Sequence, residues 1–232
     1  MFSYRLHNPN QFSILQDSTV VPFGHRCTSA LVCKYANLRK FSLPFDWTIP
    51  AFPSRIQNVL ENHFQDFIPD IHHPEILTNN LQNRYSLVLS HFNHDIPKGV
   101  EEYNRRIERF NDLLQQSSQK LYFVYINEDY LYDPLYRNAE FNDQIFSEML
   151  ILEKYLKTTY PNLDFTILFF NFREHSIPPD SNILQILLET NQTFDSFYPD
   201  YAEKFRNYCG EILTHLFHTE LQLGYTHDIF LG

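Results

Sequence analysis

Glycine is scarce in this chain, at five of 232 residues, and neither GxGxxG nor GxxxxGKS/T occurs. The backbone cradles that hold dinucleotide and nucleotide phosphates are therefore missing, and no cofactor of that kind is expected. Cysteine is scarcer still. Cys27, Cys33 and Cys209 are odd in number and match no metal-ligand spacing, which speaks against a disulfide framework and for free thiols in a reducing compartment. His72 and His73 stand together without a third ligand at zinc spacing, so no metal is expected. No apolar run approaches the roughly 20 residues of a transmembrane helix. The opening segment MFSYRLHNPNQFSILQDS alternates polar and apolar residues and has no leader-type apolar core. These absences lead to the expectation of a soluble, cytoplasmic protein without membrane insertion. Positive charge is also in the minority, 18 Lys and Arg against 28 Asp and Glu, for a net charge of −10. A phosphate-binding surface needs clustered cations, so no nucleic-acid partner is expected. The one basic cluster, Arg105, Arg106 and Arg109, is interleaved with Glu101, Glu102 and Glu108 as on a solvated helix face.

What is present is a core. Hydrophobic residues make up 43% and charged residues 20%, the balance of a globular chain, and the length suits a single domain over residues 1–232. Periodicity predicts strands at Val20–Phe23, Tyr85–Leu89, Leu121–Ile126 and Asp164–Phe170, and a weak one at Gln192–Phe197. It predicts helices over about Arg26–Ala36, Pro53–Phe67, Val100–Gln116, Asn142–Thr159 and Ala202–His218, and a short one near Asn182–Glu189. Strands alternating with helices give an α/β class, three-layered, with a mainly parallel sheet covered on both faces.

In such a sheet, ligands bind where strands end at their carboxyl termini. Gly24, His25, Arg26 and Cys27 follow the first strand. Ser90, His91, Asn93, His94 and Asp95 follow the second, Asn127, Glu128 and Asp129 the third, and Asn171, Arg173, Glu174 and His175 the fourth. Cys27, at the first turn of a helix, would gain from the helix dipole and unpaired N–H groups, which lower a thiol pKa and can form part of an oxyanion hole. It is the candidate nucleophile, although free cysteines also pack helix starts as small apolar residues. Cys33 and Cys209 are expected in the core. A thiol nucleophile needs a base and the base an orienting group. His91 is the first candidate base, with His94 and His25 behind it; Asp46 is the first orienting carboxylate, with Asp129 next. Arg39 could pair with Asp46 or Glu128, or bind a substrate anion; Trp47 could cover a pocket or fill the core.

The segment FGHRCTSALVCKYANLRKFSLPFDW, followed by YSLVLSHF and YNRRIERFNDLL, resembles the DUF1796 family, described as putative papain-like cysteine peptidases. The matching positions include Gly24, Cys27, Ala30, Leu38, Arg39, Ser42, Pro44, Phe45, Asp46, Trp47, His91, Tyr103, Arg106, Ile107, Arg109 and Phe110. The PFDW block is the specific part. The likeness runs over about 20–170, with 171–232 completing the same domain, and Pro22-Phe23 stands where the family's serine–leucine is usual. It implies thiol chemistry and offers a papain-like α+β fold as an alternative, with Cys on a helix and His on an antiparallel sheet. The layout also looks like the SGNH hydrolases, in which case His227 and Asp228 would complete the site.

Two functions follow. In one, Cys27 attacks a carbonyl, His91 shuttles the proton and Asp46 holds the imidazole, the acyl group passing to water (a peptidase or hydrolase) or to another acceptor. An acyltransferase acting in glycan or surface-polymer modification belongs to the second branch. In the other, the aromatic-rich chain is a non-catalytic glycan- or peptide-binding module. The expected partner is a small-molecule, peptide or glycan substrate.

Overall fold

The structure, a computed structural model, describes residues 2–7, 18–69, 80–92, 95–128, 138–190, 198–218 and 229–230. Along the chain these form β1 (Phe2–His7), β2 (Thr19–Pro22), α1 (Thr28–Tyr35), β3 (Thr48–Ile49), α2 (Pro53–Glu61), β4 (Asn80–Gln82) and β5 (Val88–Ser90). There follow α3 (Ile96–Gln116), β6 (Leu121–Ile126), α4 (Ala139–Thr159), β7 (Phe165–Asn171), β8 (Ile183–Thr190), α5 (Tyr198–His218) and β9 (Ile229–Phe230). Six strands make one sheet in the order β2-β6-β7-β8-β1-β9. The β2–β6, β6–β7 and β7–β8 pairs are parallel, and β1 runs antiparallel to both β8 and β9. The class is mixed α/β with a mostly parallel central sheet. Among the described residues no helix is long and apolar enough to cross a membrane.

The central strands are buried along their whole length because both faces carry apolar cover, as parallel sheets require. Alternate residues of β6 divide between two cores. Leu121, Phe123 and Tyr125 join residues of α2, α3 and α4, whereas Tyr122, Val124 and Ile126 join residues of α1 and α5. Cys33 and Cys209 are fully buried in the second core, as expected.

Helix boundaries follow local chemistry. At the end of α1, Asn37 takes a left-handed conformation (φ 56), its N–H donates to Lys34 O and that of Leu38 to Cys33 O. This closure satisfies the last carbonyls, and Leu38 packs on the same core as Cys33. Asp95 caps α3 by accepting from the Lys98 N–H, and Asn138 caps α4 by accepting from Glu140 N–H.

Two expectations are corrected and one strand is added. The segment near Asn182–Glu189 is strand β8, not a helix. A short apolar run reads equally as buried helix or buried strand, and here β7 and β1 supply ladder partners on both sides. The N-terminal alternation proves to be strand β1. Of the predicted Tyr85–Leu89 strand only Val88 and Leu89 fall in a strand, β5 (Val88–Ser90), and β5 lies outside the main sheet, in a separate antiparallel sheet of order β3-β5-β4. The Gln192–Phe197 strand falls outside the described residues.

Ile186 in β8 has no solvent exposure and belongs to the second core. Ile186→Ala is expected to cost about 2–5 kcal/mol, read as a lowered urea midpoint; a change well under 1 kcal/mol would contradict a central strand here.

Candidate functional site

The exits of β2, β6 and β7 stand at one edge because these strands are parallel, and the edge is unusually polar for a buried region. His25, Asn127, Glu128, Asn171 and Gln185 are all at most 1% exposed there. The β2 exit turns at Gly24, whose φ is +83. A Cβ at Gly24 would lie 2.6 Å from the Ala51 Cβ, so both conformation and space demand glycine. Ser29 Oγ donates to Gly24 O at 2.7 Å, and Ala51 N–H donates to His25 O at 3.1 Å. The His25 ring packs 5.0 Å from Phe52 and 6.3 Å from Tyr125.

Cys27 is the N-cap of α1 and, unlike the other two cysteines, is only partly buried. The groups that act on its thiol are Glu128, Arg206 and Arg26. Glu128, fully buried at the end of β6, accepts from the Thr28 hydroxyl. The Arg206 guanidinium on α5 grips the same carboxylate with both arms, Nε to Oε1 at 3.0 Å and Nη2 to Oε2 at 3.2 Å. Burial is the main influence on Cys27 and pushes its thiol up, Arg206 and Arg26 pull it down, and Glu128 pushes it up. The expectation of a thiol lowered by the helix terminus is thus reversed in direction, because desolvation of the anion outweighs the favourable charges.

The remaining sequence candidates gather elsewhere. Asp46 is fully buried; Arg39 donates to its Oδ2 through Nε at 3.1 Å and through Nη2, and the Leu43 N–H donates to it at 3.1 Å. Burial pushes the Asp46 carboxyl up and the Arg39 guanidinium holds it down. Arg39 also donates to Ser42 Oγ, while Arg109 reaches Ser42 O. Phe45 packs edge-on against Phe110 at 5.5 Å. The half-buried Trp47 ring meets the Arg39 guanidinium at 5.8 Å and the His91 ring at 5.5 Å.

His91 itself is exposed and left-handed (φ 59), directly after β5. Its neighbour Phe92 stacks on Tyr103 at 5.6 Å and lies against Gly99, where a Cβ would come within 2.5 Å of the ring. The β3–β5 ladder sets where this group lies. Ser90 N–H bonds Trp47 O, whereas Ala51, at the other end of β3, bonds the β2 exit. His91 therefore stands at the end of the small sheet opposite the one that meets the Cys27 turn. Among the described residues no hydrogen bond, ion pair or ring contact joins Cys27 to His91 or Asp46. The structure thus brings Asp46, Arg39, Trp47 and His91 together, and Gly24 and Cys27 together, as two groups. His94, Asp129, His227 and Asp228 lie outside the described residues.

Sequence reasoning missed Arg206 entirely and offered Glu128 as a strand-exit residue and as one possible partner of Arg39, which pairs with Asp46 instead. A helical arginine has no local feature that announces a partner 78 residues away. A further histidine at the edge, His175, stacks on Phe146 at 4.3 Å and receives Asn171 Nδ2 at Nε2, 2.9 Å away. An amide nitrogen only donates, so Nε2 is the acceptor and the ring is neutral, with Nδ1 toward Asp143. Burial lowers the His175 pKa against the pull of Asp143. Among the described residues no cluster of three or more His, Cys, Asp or Glu side chains could hold a metal ion.

Two expectations arise from this geometry. Gly24→Ala should destabilise the fold on the order of 1–3 kcal/mol, measured by chemical denaturation; a neutral outcome would mean that the turn relaxes. The unfolded chain takes up a proton near pH 6.5, before the folded His175 does, so stability is full above that pH and falls as pH drops below about 6.5. In urea titrations from pH 8 to 5, His175→Gln should flatten that fall; an unchanged slope would assign it elsewhere.

No curated protein and no solved structure matches the chain. Residues 18–175, well over half of it, match the model of a family, and the segment takes in the Gly24–Cys27 turn, the PFDW turn and His91. The chain belongs to DUF1796, described as putative papain-like cysteine peptidase.

Proposed function

We propose that the protein is a thiol-dependent hydrolase with Cys27 as its nucleophile, carried on a three-layer α/β scaffold whose two cores are the interfaces between layers. One observation carries the reading: Cys27 alone of the three cysteines reaches out of the core, at the mouth of α1 and on the edge where β2 and β6 end. Family membership supports thiol chemistry. In this reading the Cys27 sulfur forms a bond to the carbonyl carbon of an acyl substrate, the leaving group departs with a proton, and water then cleaves the thioester. The N–H groups of the first turn of α1 are suited to take the developing oxyanion.

A thiol held high by burial reacts faster as pH rises. Cys27 alkylation by iodoacetamide is expected to be slow at pH 7 and to climb through the alkaline range, with Cys33 and Cys209 unlabelled in the folded protein. Cys27→Ala should abolish both this labelling and hydrolysis of activated esters or peptides. Full turnover by that variant, or first labelling at Cys33 or Cys209, would overturn the reading. The register of the small sheet supports a position for His91 apart from the thiol, so His91→Ala should leave turnover within about threefold. A loss of about 10²–10⁴, the range a general acid–base group supplies, would restore His91 as the base.

A further inference from the structure

We infer that Arg206 and Glu128 are positioning residues for Cys27, so that the C-terminal helix α5, outside the family-matched segment, completes the thiol site. The inference rests on the hydrolase reading for its functional meaning, but its geometry stands independently. Glu128 has no solvent exposure and is gripped from two sides. The Thr28 hydroxyl binds it from the first residue of the helix that Cys27 caps, and the Arg206 fork binds it from α5. A carboxylate so placed ties the end of β6, the start of α1 and the middle of α5 to one another. The tie sits one residue from the thiol. Helices α1 and α5 also share the core of Val32, Cys33, Cys209 and Leu213, so the fork links surfaces already packed together.

A bidentate guanidinium fixes its partner in orientation as well as in charge. Arg206 therefore holds Glu128 where its second oxygen meets Thr28, and thereby fixes the opening turn of α1. The three charged groups acting on the thiol come from the edge turn (Arg26), from β6 (Glu128) and from α5 (Arg206). Arg206 and Glu128 act in opposite senses. A scaffold role alone would make their losses alike, whereas a positioning role that includes charge makes them opposite.

The test is the pH dependence of Cys27 alkylation by iodoacetamide in the full chain, followed by mass spectrometry of the Cys27 peptide. The expected order of midpoints, lowest first, is Glu128→Gln, wild type, the double variant Glu128→Gln/Arg206→Gln, and Arg206→Gln. At a fixed pH well below the midpoint, moving the midpoint by one pH unit changes the thiolate fraction roughly tenfold and the alkylation rate about three- to fourfold, because intrinsic nucleophilicity moves the other way. Arg206→Lys, which keeps the charge and loses the fork, should stay nearer the wild-type midpoint than Arg206→Gln. If Arg206→Gln fails to fold because the buried Glu128 charge loses its guanidinium, the double variant removes that charge and still must lie above wild type. Movement of the Glu128→Gln and Arg206→Gln midpoints in the same direction, or a double variant at or below wild type, would overturn the inference. Hydrolysis measured on the same proteins separates the two claims. Full turnover by Cys27→Ala with the alkylation order intact defeats the hydrolase reading alone, and a lost order with turnover dependent on Cys27 defeats this one alone.

Discussion

A carboxylate sealed from water is the constraint around which the edge of this fold is arranged. Glu128 cannot be buried as a lone charge, since its desolvation costs several kcal/mol unless donors replace the lost water. Arg206 and Thr28 supply those donors, and in doing so they fix three elements that are far apart in sequence. Cys27 inherits its surroundings from that arrangement: a helix opening held in place, two guanidiniums, and one anion already neutralised. Burial nonetheless outweighs those charges and pushes the thiol up, which favours the protonated form.

A second buried pair, Arg39 with Asp46, does comparable work at the other group. Asp46 receives Arg39 and the Leu43 N–H, closing the PFDW turn on itself, while Phe45 enters the aromatic cluster with Phe23, Phe64, Phe67 and Phe110. Trp47 is left half-buried between Arg39 and His91. Asp46 and Phe45, read from the sequence as part of a possible catalytic motif, thus have structural partners of their own. His91 is exposed and left-handed, with its ring edge-on to the Trp47 indole.

The polar edge of the main sheet continues from the Cys27 turn through the ends of β6 and β7. Asn127 donates to Asn142 there, and His175 links Asn171 to Gln185, so buried strand ends find side-chain partners in one another.

The sequence by itself determined the elements with long, strongly periodic patterns and the contacts made over short separations. Leu121–Ile126 coincides with β6, and the Arg39–Asp46 pair, seven residues apart, was among the pairings it offered. Gly24 and Cys27 were legible as a strand-to-helix junction because turn chemistry is local. What the tertiary structure alone decided was long-range. An apolar stretch became β8 because β1 and β7 stood ready to pair with it; β5 joined a different sheet, carrying His91 to the end away from Cys27. Arg206 met Glu128 across 78 residues. Periodicity records which side of an element is apolar, but a partner brought close by the packing of other helices leaves no trace in the spacing of its own.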